Sequence, residues 1–191
     1  MDFTEHFKNT LIAKRVSSEE ENNPVNYQKR IQIYLVNNSD VLVKKYSKGS
    51  RINAGLYDVG ISANLNDDEN FFDGLVRVYS DFTSQDIDKV NSNQNVNKGI
   101  HTPRVYVDHN LKIFNYIYFI KTDANISQKH ILDLDVDKYE YINVNDFVKV
   151  FFSDKFKAYP DSYKEVVRLG LCDAFDVLEV KKLDRYHRIS N

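Results

Sequence analysis

The chain has 191 residues, 42% of them hydrophobic, so it can bury a core and fits a single domain, 1–191. Its 26 basic and 28 acidic residues leave a net charge of −2, which provides no basic surface for duplex nucleic acid. No apolar run approaches the ~18 residues of a membrane span. The lone cysteine, Cys172, excludes an internal disulfide. We therefore expect a cytoplasmic protein that binds neither duplex nucleic acid nor membranes.

The first elements predicted are a polar N-terminal extension and a β-hairpin. Residues 1–28 form the extension. Two β-branched runs, 31–36 and 41–46, are joined by an Asn-Asn-Ser-Asp turn, a pattern typical of antiparallel strands. Residues 55–62 are then predicted to be extended.

A helix is predicted over residues 70–82, because apolar side chains recur there at steps of three and four. Asp67 and Asp68 are the expected N-cap candidates, since a short acidic side chain can accept hydrogen bonds from the first turn. Residues 83–100 are polar and predict a remnant of helix followed by a loop.

The second half of the chain predicts three strands and two helical segments. The strands are 105–107, 113–121 and 139–142. Of these, 113–121 is almost continuously apolar, as expected at the centre of a sheet. A helix over 143–152 and a tail over 153–191, helical from Ser162, complete the predicted elements.

The predicted helix also carries a spaced motif. Glu69 and Arg77 are separated by seven residues, Ala63 lies six before Glu69, and Ser84 lies seven after Arg77. This arrangement resembles the Nudix box, G-x5-E-x7-R-E-U-x-E-E-x-G-U, where U is aliphatic. The resemblance implies an α/β (α+β) fold, an α/β/α sandwich with a mixed sheet between helices.

Flanking segments extend this resemblance to roughly residues 5–152. Residues 55–59, Gly-Leu-Tyr-Asp-Val, resemble the Pro-Gly-Leu-Trp-Asp segment that often precedes the box. Residues 41–45 resemble its Leu-Leu-x-Lys-Arg strand, and 139–147 resemble the strand and helix that close many Nudix domains. The polar segment near residue 18 lies where the isopentenyl-diphosphate-isomerase-like branch carries its extension.

The resemblance also implies Mg²⁺ and a diphosphate substrate linked to a second group, such as a nucleotide derivative. The three box positions that would hold Mg²⁺ are occupied by Val78, Asp81 and Phe82, so one carboxylate remains. Because Val78 and Phe82 share a helix face, we expect that face to be apolar and either packed or lining a dry pocket, and tight Mg²⁺ binding to be absent. Glu69 and Arg77 are expected to form an ion pair that pins the 63–69 loop to the helix.

Candidate roles follow from this alignment. Glu69 and Asp81 are the catalytic candidates, and Asp81 and Asp68 are the metal ligands. Arg77 and Ala63 form the scaffold of the box, while Lys44, Arg51 and Asn64 are candidates for binding substrate.

Isomerase activity is not expected. That subfamily needs a Cys before the box, a His two residues later, and a further Glu-x-Glu pair. These places hold Ser62, Asn64, Leu111 and Ile113.

Two other clusters are weaker candidates. His101 and His109 with Asp108 could bind a metal, although two solvated histidines are favoured, because zinc motifs usually have tighter spacing and a fourth ligand. Asp133, Asp135 and Asp137 alternate without the Gly or terminal Glu of a calcium loop, so an exposed strand or loop is favoured.

Three functions remain open from the sequence. The first is a diphosphate hydrolase with weak or lost activity. The second is a ligand-binding or regulatory module without turnover, and the third is a structural partner protein. A homodimer is an open alternative to a monomer.

Overall fold

The structure is a computed structural model that describes residues 27–87, 99–127 and 135–174. Its strands are β1 (Gln28–Asn37), β2 (Asp40–Tyr46), β3 (Tyr57–Val59), β4 (Ile61–Asn64), β5 (Gly99–Asp108), β6 (Ile113–Lys121) and β7 (Val136–Asn143). Its helices are α1 (Phe71–Thr83), α2 (Val144–Phe151) and α3 (Asp161–Ala174). None of the helices in these ranges is long and apolar enough to cross a membrane.

The strands form one mixed sheet around β1. β1 pairs in parallel with β6 over nine residues, and β6 pairs antiparallel with β5. Residues 31–36 of β1 are all buried, as expected for a strand covered on both faces. On its other side β1 pairs with β2 at the hairpin end and with β4 farther along.

β1 and β2 therefore diverge, and the β3–β4 segment fills the space between them. β3 pairs with β2 and β4 pairs with β1, with Gly60 at the crossing point. A Cβ at Gly60 would lie 2.9 Å from the main-chain oxygen of Leu42, so the crossing needs a residue without a side chain. We call the divergence between β1 and β2 the sheet opening.

The helices cover opposite faces of the sheet. Leu75, Val78 and Tyr79 of α1 pack with alternate residues of β1 and β6. On the other face, α2 and α3 pack around Tyr34 and Phe119. The two cores confirm the expected layers, with the helix near 70–82 on one face and the helix near 143–152 on the other.

Several boundaries differ from the predicted ones. β5 begins at Gly99, not residue 105, because a register shift between His101 and Arg104 accommodates Pro103, which has no N–H to donate. The N-cap of α1 is Asn70, not Asp67 or Asp68, which lie in a preceding turn.

Some predictions fall outside the described residues. These are the extension over 1–26, most of the 83–100 loop, the part of the aspartate run at 133, and the tail beyond residue 174. α3 begins at Asp161, one residue before the predicted start of the tail helix.

Candidate functional site

The loop and helix that resemble the box are held together by local hydrogen bonds. Asn70 Oδ1 accepts from the main-chain N–H groups of Phe72 and Asp73, both at 3.0 Å, which satisfies the first turn of α1. Asp73 adds a negative charge near the helix N-terminus. These contacts fix the point at which the loop becomes helix.

Glu69 and Arg77 form the expected ion pair, which is confirmed. Arg77 Nε donates to Glu69 Oε1 at 2.7 Å, and Arg77 Nη2 donates to Glu69 Oε2 at 2.6 Å. Arg77 also donates to the main-chain oxygen of Asn64 at 3.1 Å, and the Asn66 N–H donates to Glu69 Oε2 at 3.0 Å. The pair therefore ties both ends of the loop to α1, and its hydrogen bonds lower the pKa of Glu69.

The face of α1 that would hold metal in the box is largely apolar. Val78 is 1% exposed and belongs to the core between α1 and the sheet. Phe82 is half-buried and packs against the same core, whereas Asp81 is exposed. The expected packing of Val78 and Phe82 is thus confirmed.

α1 ends at a residue in the left-handed conformation, which Gly adopts freely. Ser84 adopts a left-handed conformation, with φ 57° and ψ 24°, and its N–H donates to the Ser80 oxygen at 2.8 Å. The Ser127 N–H donates to the Phe82 oxygen at 2.6 Å. These two hydrogen bonds satisfy main-chain oxygens in the last turn of α1.

The candidate metal ligands do not form a cluster. Within residues 27–87, 99–127 and 135–174, no group of three His, Cys, Asp or Glu side chains could hold an ion. Asp68 lies exposed in the turn before α1. Both carboxylate oxygens of Glu69 accept hydrogen bonds from Arg77. Ala63, the other scaffold position, lies half-buried in β4 opposite Ile31.

The candidate substrate-binding residues lie in different settings. Lys44, in β2, points its ammonium towards the carboxylate of Asp58, with Nζ 4.0 Å from Oδ2. Arg51 is exposed in the loop between β2 and β3. Asn64, at the end of β4, accepts a hydrogen bond from Arg30 Nε at 3.2 Å.

Asp58 is a buried acid beside the sheet opening, at 2% exposure. Its Oδ1 accepts from the Val59 N–H at 2.8 Å and from the Tyr159 hydroxyl at 2.6 Å. Its Oδ2 accepts from the Tyr46 hydroxyl at 3.0 Å. Lys157 Nζ lies 3.6 Å from Oδ2. These donors stabilise a charge that would otherwise be costly to bury.

A second polar group lies across the sheet opening. The Tyr163 hydroxyl donates to Gln32 Oε1 at 2.9 Å and lies 2.9 Å from the Tyr34 hydroxyl. Because the Tyr163 proton is given to Gln32, Tyr34 donates to Tyr163. Burial raises the pKa of Tyr34, Tyr159 and Tyr163, so these hydroxyls keep their protons as donors at neutral pH.

Sequence reasoning assigned no role to Tyr163, and it used Asp58 only as part of a resemblance. A signal was present in both places. Asp58 is a lone acid within an otherwise apolar extended segment, and Tyr159 and Tyr163 are spaced by four residues. Their partners are distant in sequence, so the spacing alone could not join them.

The two weaker clusters have ordinary contacts. His109 Nδ1 lies 3.2 Å from the Tyr27 hydroxyl, and Asp108 Oδ1 accepts from the N–H groups of Asn110 and Leu111 in the turn after β5. Asp135 is exposed just before β7, and Asp137 is exposed within it.

Comparison with known proteins places the architecture. No family model matches the chain, and no curated protein matches it. A structure of DR0079 from Deinococcus radiodurans is 15% identical, with a TM-score of 0.53 over 74% of this chain and 82% of that chain.

Two further solved structures are similar at lower scores. A Nudix hydrolase from Nitrosomonas europaea is 6% identical, with a TM-score of 0.48 over 78% of this chain and 92% of that chain. A MutT protein from Methanosarcina mazei Go1 is 15% identical, with a TM-score of 0.45 over 84% of this chain and 95% of that chain. At such identities likeness shows the fold alone, and this fold is an α/β/α sandwich with a mixed sheet between helices, as the sequence predicts.

Proposed function

We propose that this protein uses a Nudix-type fold to bind a small diphosphate or nucleotide derivative, and that it hydrolyses such compounds weakly or not at all. The observation that carries the proposal is the position of Val78. This residue stands where the box resemblance requires a metal-binding glutamate, yet its side chain lies in the core between α1 and the sheet.

The chemistry of the available donors does not fit the expected magnesium site. Mg²⁺ prefers six oxygen ligands in a near-octahedral arrangement. Val78 and Phe82 offer hydrocarbon, and Asp81 offers one exposed carboxylate. The carboxylate of Glu69 is engaged by Arg77 on both oxygens, so we assign Glu69 to holding the loop.

The scaffold of the box is retained, which supports ligand binding on this fold. Arg77 still joins Glu69 and the Asn64 carbonyl, and Ser84 still adopts the left-handed conformation at the end of α1. Apolar packing at residues 78 and 82 stabilises this helix against the sheet. Burial of a side chain the size of Phe contributes roughly 1.5–3 kcal/mol when complete. The packed helix thus keeps the fold while the ligand set for metal is lost.

Two measurements test the proposal. Calorimetric titration with Mg²⁺ should show no tight binding to the unmodified protein. A panel of nucleoside diphosphate derivatives, including ADP-ribose and diadenosine polyphosphates, should show no strong Mg²⁺-dependent hydrolysis. The double variant Val78→Glu/Phe82→Glu should gain Mg²⁺ affinity if it remains folded, because it restores two carboxylates beside Asp81 on one face of α1.

A single substitution distinguishes this proposal from the alternative of an active hydrolase. Asp81→Ala removes the one carboxylate left among the three aligned positions. Strong Mg²⁺-dependent hydrolysis by the unmodified protein that is lost in Asp81→Ala would overturn the proposal. The ligands missing beside Asp81 would then come from the 101–112 segment or from Asp67 and Asp68.

A further inference from the structure

The ring of Tyr159 is held by the contacts that proteins use to hold a nucleobase. It stacks on Tyr163, with ring centroids 4.2 Å apart and an interplanar angle of 16°. Lys157 Nζ lies 5.2 Å from the Tyr159 ring centroid, and the Tyr159 hydroxyl donates to Asp58 at 2.6 Å. Aromatic stacking, a neighbouring cation and a hydrogen bond from the ring edge are recurrent features of base recognition.

The stacking platform is fixed by contacts that do not involve Tyr159. The Tyr163 hydroxyl is held between Gln32 and Tyr34, both at 2.9 Å. The ring of Tyr106 meets Tyr163 edge-on, with centroids 5.3 Å apart. Tyr163 is therefore held in place by three neighbours, and a flat partner can stack on it without a large ordering cost.

The Asp58 carboxylate, which would accept the hydrogen bond from a base, is also held by contacts that do not involve Tyr159. Asp58 keeps hydrogen bonds from the Val59 N–H and the Tyr46 hydroxyl when Tyr159 is disregarded. Without Tyr159, Oδ1 would have room for one more donor. An N–H at the edge of a heteroaromatic ring could supply it.

Tyr159 lies where solvent can reach it. It belongs to the connection between α2 and α3, it is half-buried, and its neighbours Ala158 and Pro160 are exposed. The connection is attached to β3 by two main-chain hydrogen bonds at Tyr57, to Lys155 and Lys157, each 2.8 Å long. Both attachments precede Tyr159, so displacement of its ring does not require them to break.

We propose that the slot formed by Tyr163, Lys157 and Asp58 binds a planar heteroaromatic ring carrying an N–H donor, such as a purine base, and that Tyr159 occupies this slot in the free protein. The inference rests on the proposed function in one respect, the nucleotide character of the ligand. The ligand and the Tyr159 ring compete for the same face of Tyr163. The free protein therefore binds a base less tightly than it would if Tyr159 did not cover that face.

The test uses nucleosides, which carry a base and no phosphate. Adenosine and guanosine are titrated calorimetrically, with ribose as the control for the sugar. Tyr159→Ala should bind nucleosides roughly tenfold more tightly than the unmodified protein, since base–aromatic stacking is no longer opposed by an internal ring. Tyr159→Phe should show a smaller gain, because it keeps the ring and loses only the bond to Asp58.

Second substitutions test whether the gain in nucleoside affinity arises at this slot. Adding Asp58→Leu, which removes the acceptor, or Tyr163→Leu, which removes the stacking ring, to Tyr159→Ala should abolish it, with circular dichroism confirming that each variant is folded. Tyr141→Phe is the matched control, since it removes a hydroxyl that donates to the Ala124 oxygen, in the core between α1 and the sheet. This control should leave nucleoside affinity unchanged.

The outcomes separate this site from the proposed function. No gain in either Tyr159→Ala or Tyr159→Phe, or a gain that survives either second substitution, overturns the site. If Tyr159→Ala does not fold, Tyr159→Phe decides. Strong hydrolysis together with a base-dependent gain overturns only the proposed function, because the binding measurement uses neither metal nor turnover.

Discussion

Ser84 shows how a single backbone angle can be tested. Its φ of 57° is a conformation that a residue with a Cβ adopts only at a cost, whereas Gly adopts it freely. We expect Ser84→Gly to raise the free energy of unfolding by about 0.5–1 kcal/mol, measured by urea denaturation.

The matched control for Ser84→Gly lies one turn earlier. Ser80 is in the interior of α1, where Gly costs about 0.5–1 kcal/mol in backbone entropy. Ser80→Gly should therefore destabilise the protein. If both variants shift stability in the same direction, the left-handed conformation at residue 84 is not the cause.

The Glu69 carboxylate should make stability depend on pH in a defined direction. Hydrogen bonds from Arg77 and from the Asn66 N–H lower its pKa in the folded state. The unfolded chain then binds more protons in the acid range, so stability rises with pH there. The contribution is complete above the ordinary Glu pKa of about 4.3 and is lost as pH falls through the folded value.

Glu69→Gln isolates this contribution, because Gln cannot titrate. Unfolding free energies of both proteins should be measured from about pH 6 downwards through the ordinary Glu pKa. The stability advantage of the unmodified protein should shrink as pH falls. An advantage that stays constant or grows would contradict the assigned pKa direction.

At the scale of elements, α3 depends on a close approach at Gly170. A Cβ there would lie 2.0 Å from one atom of the Phe119 ring and 2.3 Å from another. That ring cannot easily move, because it stacks on Tyr34 with centroids 5.3 Å apart. We expect Gly170→Ala to destabilise the protein by roughly 1–3 kcal/mol, as overpacked cores do.

Helix propensity alone gives the opposite expectation for this substitution. Ala is favoured over Gly in a helix interior by about 1 kcal/mol. Thermal or urea unfolding of Gly170→Ala therefore decides between packing and propensity. Leu169→Ala, at a neighbouring exposed position, is the control and should change stability little.

Elements with a strong local pattern were predictable from the sequence. β6 was predicted at its observed bounds because nine mostly apolar residues are flanked by polar ones. The start of β5 was not, since Pro103 interrupts a strand pattern and only its pairing with β6 reveals the register shift. The N-cap of α1 was also missed, because three neighbouring residues, Asp67, Asp68 and Asn70, have suitable side chains.

At the scale of the whole molecule, some contacts of the candidate site join residues close together in the sequence, and others join residues far apart in it. The contact between Glu69 and Arg77 followed from a spacing of eight along one loop and helix. The contact between Asp58 and Tyr159 joins residues 101 positions apart and depends on how the sheet opens. No periodic pattern encodes such a meeting, so only the assembled fold reveals it. The single-domain assignment and the homodimer alternative stay predictions.

The parallel pairing of β1 with β6 has a consequence for how the chain folds. β1 is among the first described segments of the chain, yet its residues Gln28–Val36 pair with Ile113–Lys121, much later in the sequence. Contacts so far apart in sequence carry a large loop-closure cost and form late. Until β6 is available, an apolar strand has an unpaired edge, and such edges template aggregation. Fragments that stop before residue 113 would keep that edge permanently, so the protein is poorly suited to dissection from its C-terminal side.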